Sequence, residues 1–416
     1  MLINKLKHRL SNQYIGNISW MGGAEFANRI FRLGTTVIVA RVLNPYDYGL
    51  VAVVLATNEI INIFTLKAGI GAKLIQASKE NVAILCDTVY WMNWILCIGL
   101  FIIQCFVAFP IAWFYGDNRV ILPICVISIT YLFLPFYAVQ IALIFRENKF
   151  KTIALCNISQ SLFGSIITVI LALLGMGIWA IILPIVLTHP LWVIINLMNH
   201  RWRPTKSFTL YRWQEISSFA LNVLGVEILN KLRANLDYLI IGRFLGIDNL
   251  GIYYFAFNAG IGISLNVINT LTWSLLPYFC EAREQINELK KRYFSSLKVI
   301  ASIIVPLVLL QSALAPIYVP IIFGQKWVDA IPILVVICLS AIPRPFAEAA
   351  GHLLKAFDKP SVDLYFNLLF TVIFVMGLLF AVHWGILWVA VSVLVSHIVI
   401  MPIFSVCVSR YVFYKK

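Results

Sequence analysis

One stretch of this chain is written twice. Residues 22–50, GGAEFANRIFRLGTTVIVARVLNPYDYGL, align with residues 224–252, LGVEILNKLRANLDYLIIGRFLGIDNLGI, at a constant offset of 202 positions. Gly23, Glu25, Asn28, Ile38, Arg41, Leu43 and Gly49 meet identical residues at Gly225, Glu227, Asn230, Ile240, Arg243, Leu245 and Gly251, and Arg29 meets Lys231. Roughly two identities would arise from composition alone, so the match points to a tandem duplication. Each copy is a long apolar helix carrying charge in its interior. In a membrane protein, that combination indicates two half-units around a shared polar cavity.

Composition supplies the membrane. Hydrophobic residues make up 61% of the chain and charged ones 12%, which is the profile of a polytopic membrane protein. Apolar runs of spanning length fill nearly all of it. They predict twelve spans, near 14–41, 48–68, 83–110, 119–145, 152–174, 177–199, 213–243, 249–279, 293–323, 328–355, 361–382 and 384–409. The first and seventh are polar along the half nearer the cytoplasm, so a hydropathy window underestimates them. The basic N-terminus lacks the short apolar region and small-residue site of a cleaved leader and reads as retained. The eight cysteines show no CxxC spacing, which argues against a disulfide or metal framework.

The net charge of +14 reads as an orientation signal and not as a nucleic-acid signal. With alternating sides assigned, 23 Lys and Arg fall on the N-terminus, the even-numbered loops and the C-terminus, against four on the odd-numbered loops. The positive-inside rule then places both termini in the cytoplasm. Twelve spans in two sixes give the repeats one common orientation. The expected organisation is an N-terminal six-helix lobe over 1–199, a basic linker over 200–212 and a C-terminal six-helix lobe over 213–416. The fold class is an all-α polytopic membrane protein whose lobes are related by a pseudo-two-fold repeat.

Weaker matches run in order through both halves. Gly116 pairs with Gly324, Pro123 with Pro332, Pro135 with Pro345, Lys149 with Lys359, and Gly177 with Gly385. Collinearity gives them weight. Gly49 and Gly251 follow tight turns and suit either positive φ or close helix approach. Pro110, Pro135, Pro184, Pro306, Pro316, Pro343 and Pro345 would kink spans or free carbonyls toward a cavity.

The segments ARVLNPYDYGLVAVVLA and GIGAKLIQ, with LDYLIIGRFLGIDNLGIYYFA, IIFGQKW and LLKAFDKP in the second half, resemble bacterial polysaccharide exporters. These are the O-antigen and exopolysaccharide repeat-unit flippases of the multidrug/oligosaccharidyl-lipid/polysaccharide exporter superfamily. The resemblance covers essentially the whole chain and rests on loop and packing signatures. It implies a protein that moves polyprenyl-pyrophosphate-linked oligosaccharide between leaflets of the bacterial inner membrane, for lipopolysaccharide, capsule or exopolysaccharide synthesis. Polysaccharide polymerase and chain-length machinery are its implied partners. The extra C-terminal helix pair of lipid II flippases is not evident.

Charges buried in spans are the candidate site. Glu25, Arg29 and Arg32 share a helical face at i, i+4 and i+7. Arg29 lies twelve residues inward of Arg41, about 18 Å at 1.5 Å per residue, near mid-bilayer. A charge there costs at least about 2.5–3.5 kcal/mol unless it meets water, a partner or a ligand. The second copy repeats the device in Glu227 and Lys231, with Arg233 and Asp237 expected to pair. Glu59 lies on the second span, and Arg344 and Glu348 lie one turn apart on the tenth. Guanidinium forks and a mobile ammonium suit a lipid pyrophosphate, so Arg29, Arg32, Lys231 and Arg344 are the candidate ligands. Glu25, Glu227, Glu59 and Asp237 are their candidate charge partners or coupling groups. Structural ion pairing without a ligand is the competing reading.

Trp20, Tyr253, Tyr254, Phe257 and Trp273 offer sugar-stacking faces, though interfacial packing accounts for most membrane aromatics. His189, His352 and His397 read as buried hydrogen-bonding residues. No nucleotide loop, metal spacing, cofactor motif or nucleophile constellation is present, and nothing points to an enzyme. Three alternatives remain open. A lipid II flippase is hard to separate from sequence, a multidrug or cation extruder should have an acid-dominated cavity, and a membrane-embedded polymerase or ligase needs larger outer loops.

Overall fold

The computed structural model describes residues 23, 27–66, 70–71, 73–74, 79–147, 149–204, 207–272, 275–357 and 359–413. Among them every regular element is helical. In chain order they are α1 (27–42), α2 (Pro45–Asn62), α3 (Lys79–Tyr115), α4 (Ile121–Phe133), α5 (Ala138–Arg146), α6 (Phe150–Leu173), α7 (Trp179–Asn199) and α8 (Trp213–Phe244). Then follow α9 (Ile247–Ala259), α10 (Ile261–Thr272), α11 (Leu275–Cys280), α12 (Ile286–Tyr318), α13 (Ile331–Leu339), α14 (Arg344–Ala356), α15 (Pro360–Ala381) and α16 (Ile386–Phe413). Large apolar side chains such as Phe106, Phe109 and Trp113 on α3 are exposed. In water that face would be an aggregation site; in a bilayer it is the lipid-facing surface.

Nine helical stretches among the described residues are long and apolar enough to cross a membrane. The expected first, seventh and eighth spans are not among them, each for an identifiable reason. The described part of α1 covers 27–42 alone. Helix α8 carries Glu215, Glu227, Lys231, Arg233, Asp237 and Arg243 along its 32 residues. The eighth, expected as one run over 249–279, is divided: α9 stops at Ala259, Gly260 departs from helical geometry with φ −89° and ψ −85°, and α10 begins at Ile261. A side chain at Gly260 would press on Cys338 Sγ and Leu334 Cγ, each 3.0 Å from a built Cβ. The break is thus packed in place against α13.

The chain forms two compact units. The first comprises 1–44 and 53–232, the second 45–52 and 233–416, so the boundary falls inside α8. In the first unit, Leu66, Ile70, Leu74, Leu85, Val89 and Met92 form an apolar core with Val139, Ile216 and Ala220. Residues 200–204 and 207–212 are laid against this unit. Trp91 Nε1 donates to the Ser207 carbonyl at 3.0 Å and Thr88 Oγ1 to that of Tyr211 at 2.8 Å. Arg203 donates to the carbonyls of Leu197, His200 and Trp202, each at 2.7 Å, closing the C-terminus of α7. Glu215 is held by Lys73 at 2.8 Å and Arg212 at 2.6 Å. In the loop before α6, Lys149 at 2.6 Å and His200 at 3.3 Å hold the Glu147 carboxyl below the usual carboxylate range.

In the second unit the start of α2 crosses the start of α9 at glycines. A Cβ on Gly251 would overlap the Pro45 carbonyl oxygen and lie 2.8 Å from the Gly49 nitrogen. A Cβ on Gly49 would overlap the Ile247 carbonyl oxygen and lie 2.9 Å from its carbonyl carbon. Pro45 and Ile247 are themselves 202 positions apart, so the crossing is reciprocal. Beside it, Tyr48 is 5% exposed and packs edge-on to Trp327, ring centres 4.9 Å apart. Trp327 in turn stacks on Phe255 at 3.9 Å. Other matched glycines also share a conformation, with positive φ at both Gly116 and Gly324 and at both Gly177 and Gly385.

Candidate functional site

In the first unit, Lys231 on α8 reaches Glu59 on α2, Nζ to Oε2 3.0 Å, with the side chains 49% and 50% exposed. A pair that open, on helices embedded in a bilayer, faces water and not acyl chains, because a lipid-exposed ion pair is too costly. The local spacing rule pointed to Glu227 as the partner of Lys231. Glu227 lies on α8, and Glu25 falls outside the described residues, as do Trp20 and Trp273. Arg29 is half-buried and Arg32 exposed on α1. Three of the four candidate cations, Arg29, Arg32 and Lys231, therefore belong to one unit.

Next to Glu59 begins an uncharged polar network that the sequence reading missed. Gln104 on α3 donates to the Ile124 carbonyl at 3.0 Å, while Tyr131 donates to Gln104 Oε1 at 2.9 Å and to Asn58 Oδ1 at 3.1 Å. Gln104 and Tyr131 are buried, and in an apolar surrounding such groups must satisfy one another. The second unit has a counterpart. Gln311 on α12 accepts from Ser264 at 3.0 Å and donates to the Ala259 carbonyl at 3.3 Å and to the Gly260 carbonyl, stabilising the break in the eighth helix. Gln104 and Gln311 lie twelve and thirteen residues before the matched Gly116 and Gly324. Extending that match backward pairs Gln104 with Ser312 and misses Gln311 by one residue, the π-helical turn Val319–Phe323 lying between Gln311 and Gly324.

The second unit places a different set of charges together. Asp237, 5% exposed, accepts from the Tyr253 hydroxyl at 2.9 Å and the Tyr238 backbone N–H at 3.0 Å. The expected Arg233–Asp237 pair is not the arrangement found. Arg233 instead donates to Asn367 Oδ1 at 2.5 Å and lies over the Phe370 ring, 5.7 Å from its centre. The i, i+4 rule failed here because tertiary partners on α9 and α15 outcompete a neighbour on the same helix. Arg344, at the start of α14, has Tyr253, Asp237, Glu348 and Arg233 as electrostatic neighbours. Its Nε is buried and makes no hydrogen bond. His397, buried, has its Nδ1 2.7 Å from the Val393 carbonyl, and His189, half-buried, has its Nδ1 2.7 Å from that of Ile185, whereas the buried Nδ1 of His352 makes no hydrogen bond, against expectation. Among the described residues no group of His, Cys, Asp and Glu is arranged to hold a metal ion.

A helical membrane protein with ionic and amide clusters inside its units has the makings of a transporter. The family model described as "Polysaccharide biosynthesis protein" matches residues 38–332. The chain belongs to this family. It is a multi-pass membrane protein of the polysaccharide biosynthesis family. A membrane protein of the cps region of Klebsiella pneumoniae is 24% identical over 90% of the chain and 80% of its own length. Lipopolysaccharide biosynthesis protein WzxC of Escherichia coli is 26% identical over 81% and 69%. Teichuronic acid biosynthesis protein TuaB of Bacillus subtilis is 25% identical over 77% and 66%. Among solved structures, an inward-facing MATE-family multidrug transporter of the MOP superfamily superposes with TM-score 0.76 at 16% identity, covering 92% of this chain and 94% of its own. Lipid II flippase MurJ in an inward closed conformation gives 0.74 at 12% identity, covering 94% and 87%. These two establish the fold.

Proposed function

We propose that this protein flips polyprenyl-pyrophosphate-linked oligosaccharide repeat units across the bacterial inner membrane by alternating access. The single observation that carries the reading is the water-facing Lys231–Glu59 pair, set in a family of polysaccharide biosynthesis. Arg29, Arg32 and Lys231 supply guanidinium and ammonium donors to the pyrophosphate, offsetting its desolvation. Glu59 holds Lys231 when no substrate is present. The polyprenyl tail stays in the acyl region, and weaker sugar contacts allow varied glycans. Names among the relatives, including "Succinoglycan biosynthesis transport protein ExoT" of Rhizobium meliloti, support this substrate class. Twelve spans in two repeated six-helix halves are part of the proposal. The reciprocal crossing at Gly49 and Gly251 and the similar amide bonding of Gln104 and Gln311 in the two units support it.

Full-length protein in nanodiscs is expected to bind polyprenyl pyrophosphate and to ignore lipophilic organic cations. The opposite ranking would replace the flippase reading with that of a cation extruder. Both termini are proposed to be cytoplasmic, from the distribution of loop cations. In a cysteine-free background, cysteines at Asn118, Gly246 or Gln325 should then react with an impermeant thiol reagent added to intact cells. Cysteines at Ser207 or Gln285 should stay protected. Labelling at Ser207 and Gln285 with Asn118 silent would invert the orientation.

A further inference from the structure

The second unit holds an arginine whose Nε is buried without a hydrogen bond. This residue, Arg344, is half-buried, and no described residue ion-pairs with it. Buried polar groups are normally satisfied, and leaving a guanidinium fork unmade costs more than an isolated pair returns. The neighbouring acids act on it through space and make no hydrogen bond with it. Asp237 is committed to Tyr253 and Tyr238, and Glu348, one turn along the same face of the helix, accepts from Thr272 and not from Arg344.

Charge decides what the fork takes. Around it Arg344 and Arg233 face Asp237 and Glu348, with Lys355 and Asp363 forming a further pair at 3.7 Å. The cluster is balanced, so a pyrophosphate would bring two or three uncompensated negative charges. A group that both donates and accepts hydrogen bonds suits it better. Vicinal hydroxyls of a sugar do so, accepting from the Arg344 fork and donating to the free lone pairs of Glu348. Tyr254 and Phe257 on α9 are half-buried and pack on Tyr238 at 5.5 and 6.0 Å. Phe257 lies one turn from Tyr253, on the same stripe of α9, where an apolar ring can cover a sugar face.

We propose that Arg344 and Glu348 form a sugar subsite that binds hydroxyls of a neutral sugar of the lipid-linked oligosaccharide, separate from the pyrophosphate cations of the first unit. This deepens the proposed function and rests on it. Arg344 thereby leaves the set of pyrophosphate ligands expected from sequence.

The test measures affinities of full-length protein in nanodiscs for three probes. They are bare polyprenyl pyrophosphate, the same lipid bearing a neutral trisaccharide, and the same lipid bearing a trisaccharide that ends in a uronate. The neutral sugar should tighten binding about tenfold, the worth of one or two hydrogen bonds to charged groups. Arg344→Gln should erase that increment and leave bare-lipid affinity unchanged, which also certifies the variant as folded. Should Arg344→Gln fail to accumulate, Glu348→Gln, which keeps the shape of the acceptor, is expected to lose the same increment. Equal wild-type affinity for bare and neutral glycosylated lipid overturns the subsite. So does an Arg344→Gln loss shared equally by both, which would make Arg344 a phosphate ligand, and so does a preference for the uronate probe that depends on Arg344. Sugar-dependent binding with no affinity for the bare lipid would sink the pyrophosphate reading and leave the subsite standing.

Discussion

Replacing Gly251 with alanine should abolish flipping and expose the crossing to solvent. The added methyl falls on the Pro45 carbonyl oxygen and 2.8 Å from the Gly49 nitrogen. Both are backbone atoms, so no change of rotamer relieves the overlap. Overpacking costs about 1–3 kcal/mol where side chains can yield, and this site lies at or above the top of that range. Gly49→Ala should behave alike because the crossing is reciprocal. If the two helix starts part during transport, either variant keeps its fold but cannot bring them together again. A reporter cysteine at Val51, 1% exposed in the closed crossing, should then react with an impermeant thiol reagent in the Gly251→Ala background and stay protected beside Gly251. Normal flipping with Val51→Cys protected in the alanine variant would show that the crossing plays no part in the cycle.

Much of the architecture was legible in the sequence, because it rests on periodicities a sequence displays openly. Apolar runs of spanning length gave the helical membrane fold. The matched glycines marked places where the backbone needs freedom or room, at Gly116 and Gly324 by positive φ and at Gly49 and Gly251 by close approach. Partnerships were less legible. Local spacing joined Arg233 to Asp237, but Arg233 meets Asn367, 134 residues away, and spacing gave no sign that Lys231 meets Glu59, 172 residues away. No helical repeat reports on contacts of that separation. The break at Gly260 had a sequence signal in the NAGIGIS run, which continuous hydropathy concealed. That Arg344 Nε is buried without a hydrogen bond is a property of its three-dimensional surroundings, and no pattern in the chain discloses it.

The central claim is that the first unit's cations grip the pyrophosphate of a lipid-linked sugar and carry it between leaflets. Losing Lys231 alone would leave Glu59 unpaired and would not separate a binding defect from a folding defect. Neutralising both partners does separate them, since replacing an ion pair costs far less than breaking one. The decisive measurement follows a fluorescent polyprenyl-pyrophosphate-linked oligosaccharide in proteoliposomes, with an impermeant quencher reporting the leaflet it occupies. Wild-type protein should move the lipid to the quenched leaflet. The Glu59→Gln, Lys231→Gln double variant, inserted and melting like wild type, should leave the lipid where it started. Wild-type flipping by the double variant, or no flipping by the wild type, would contradict the account.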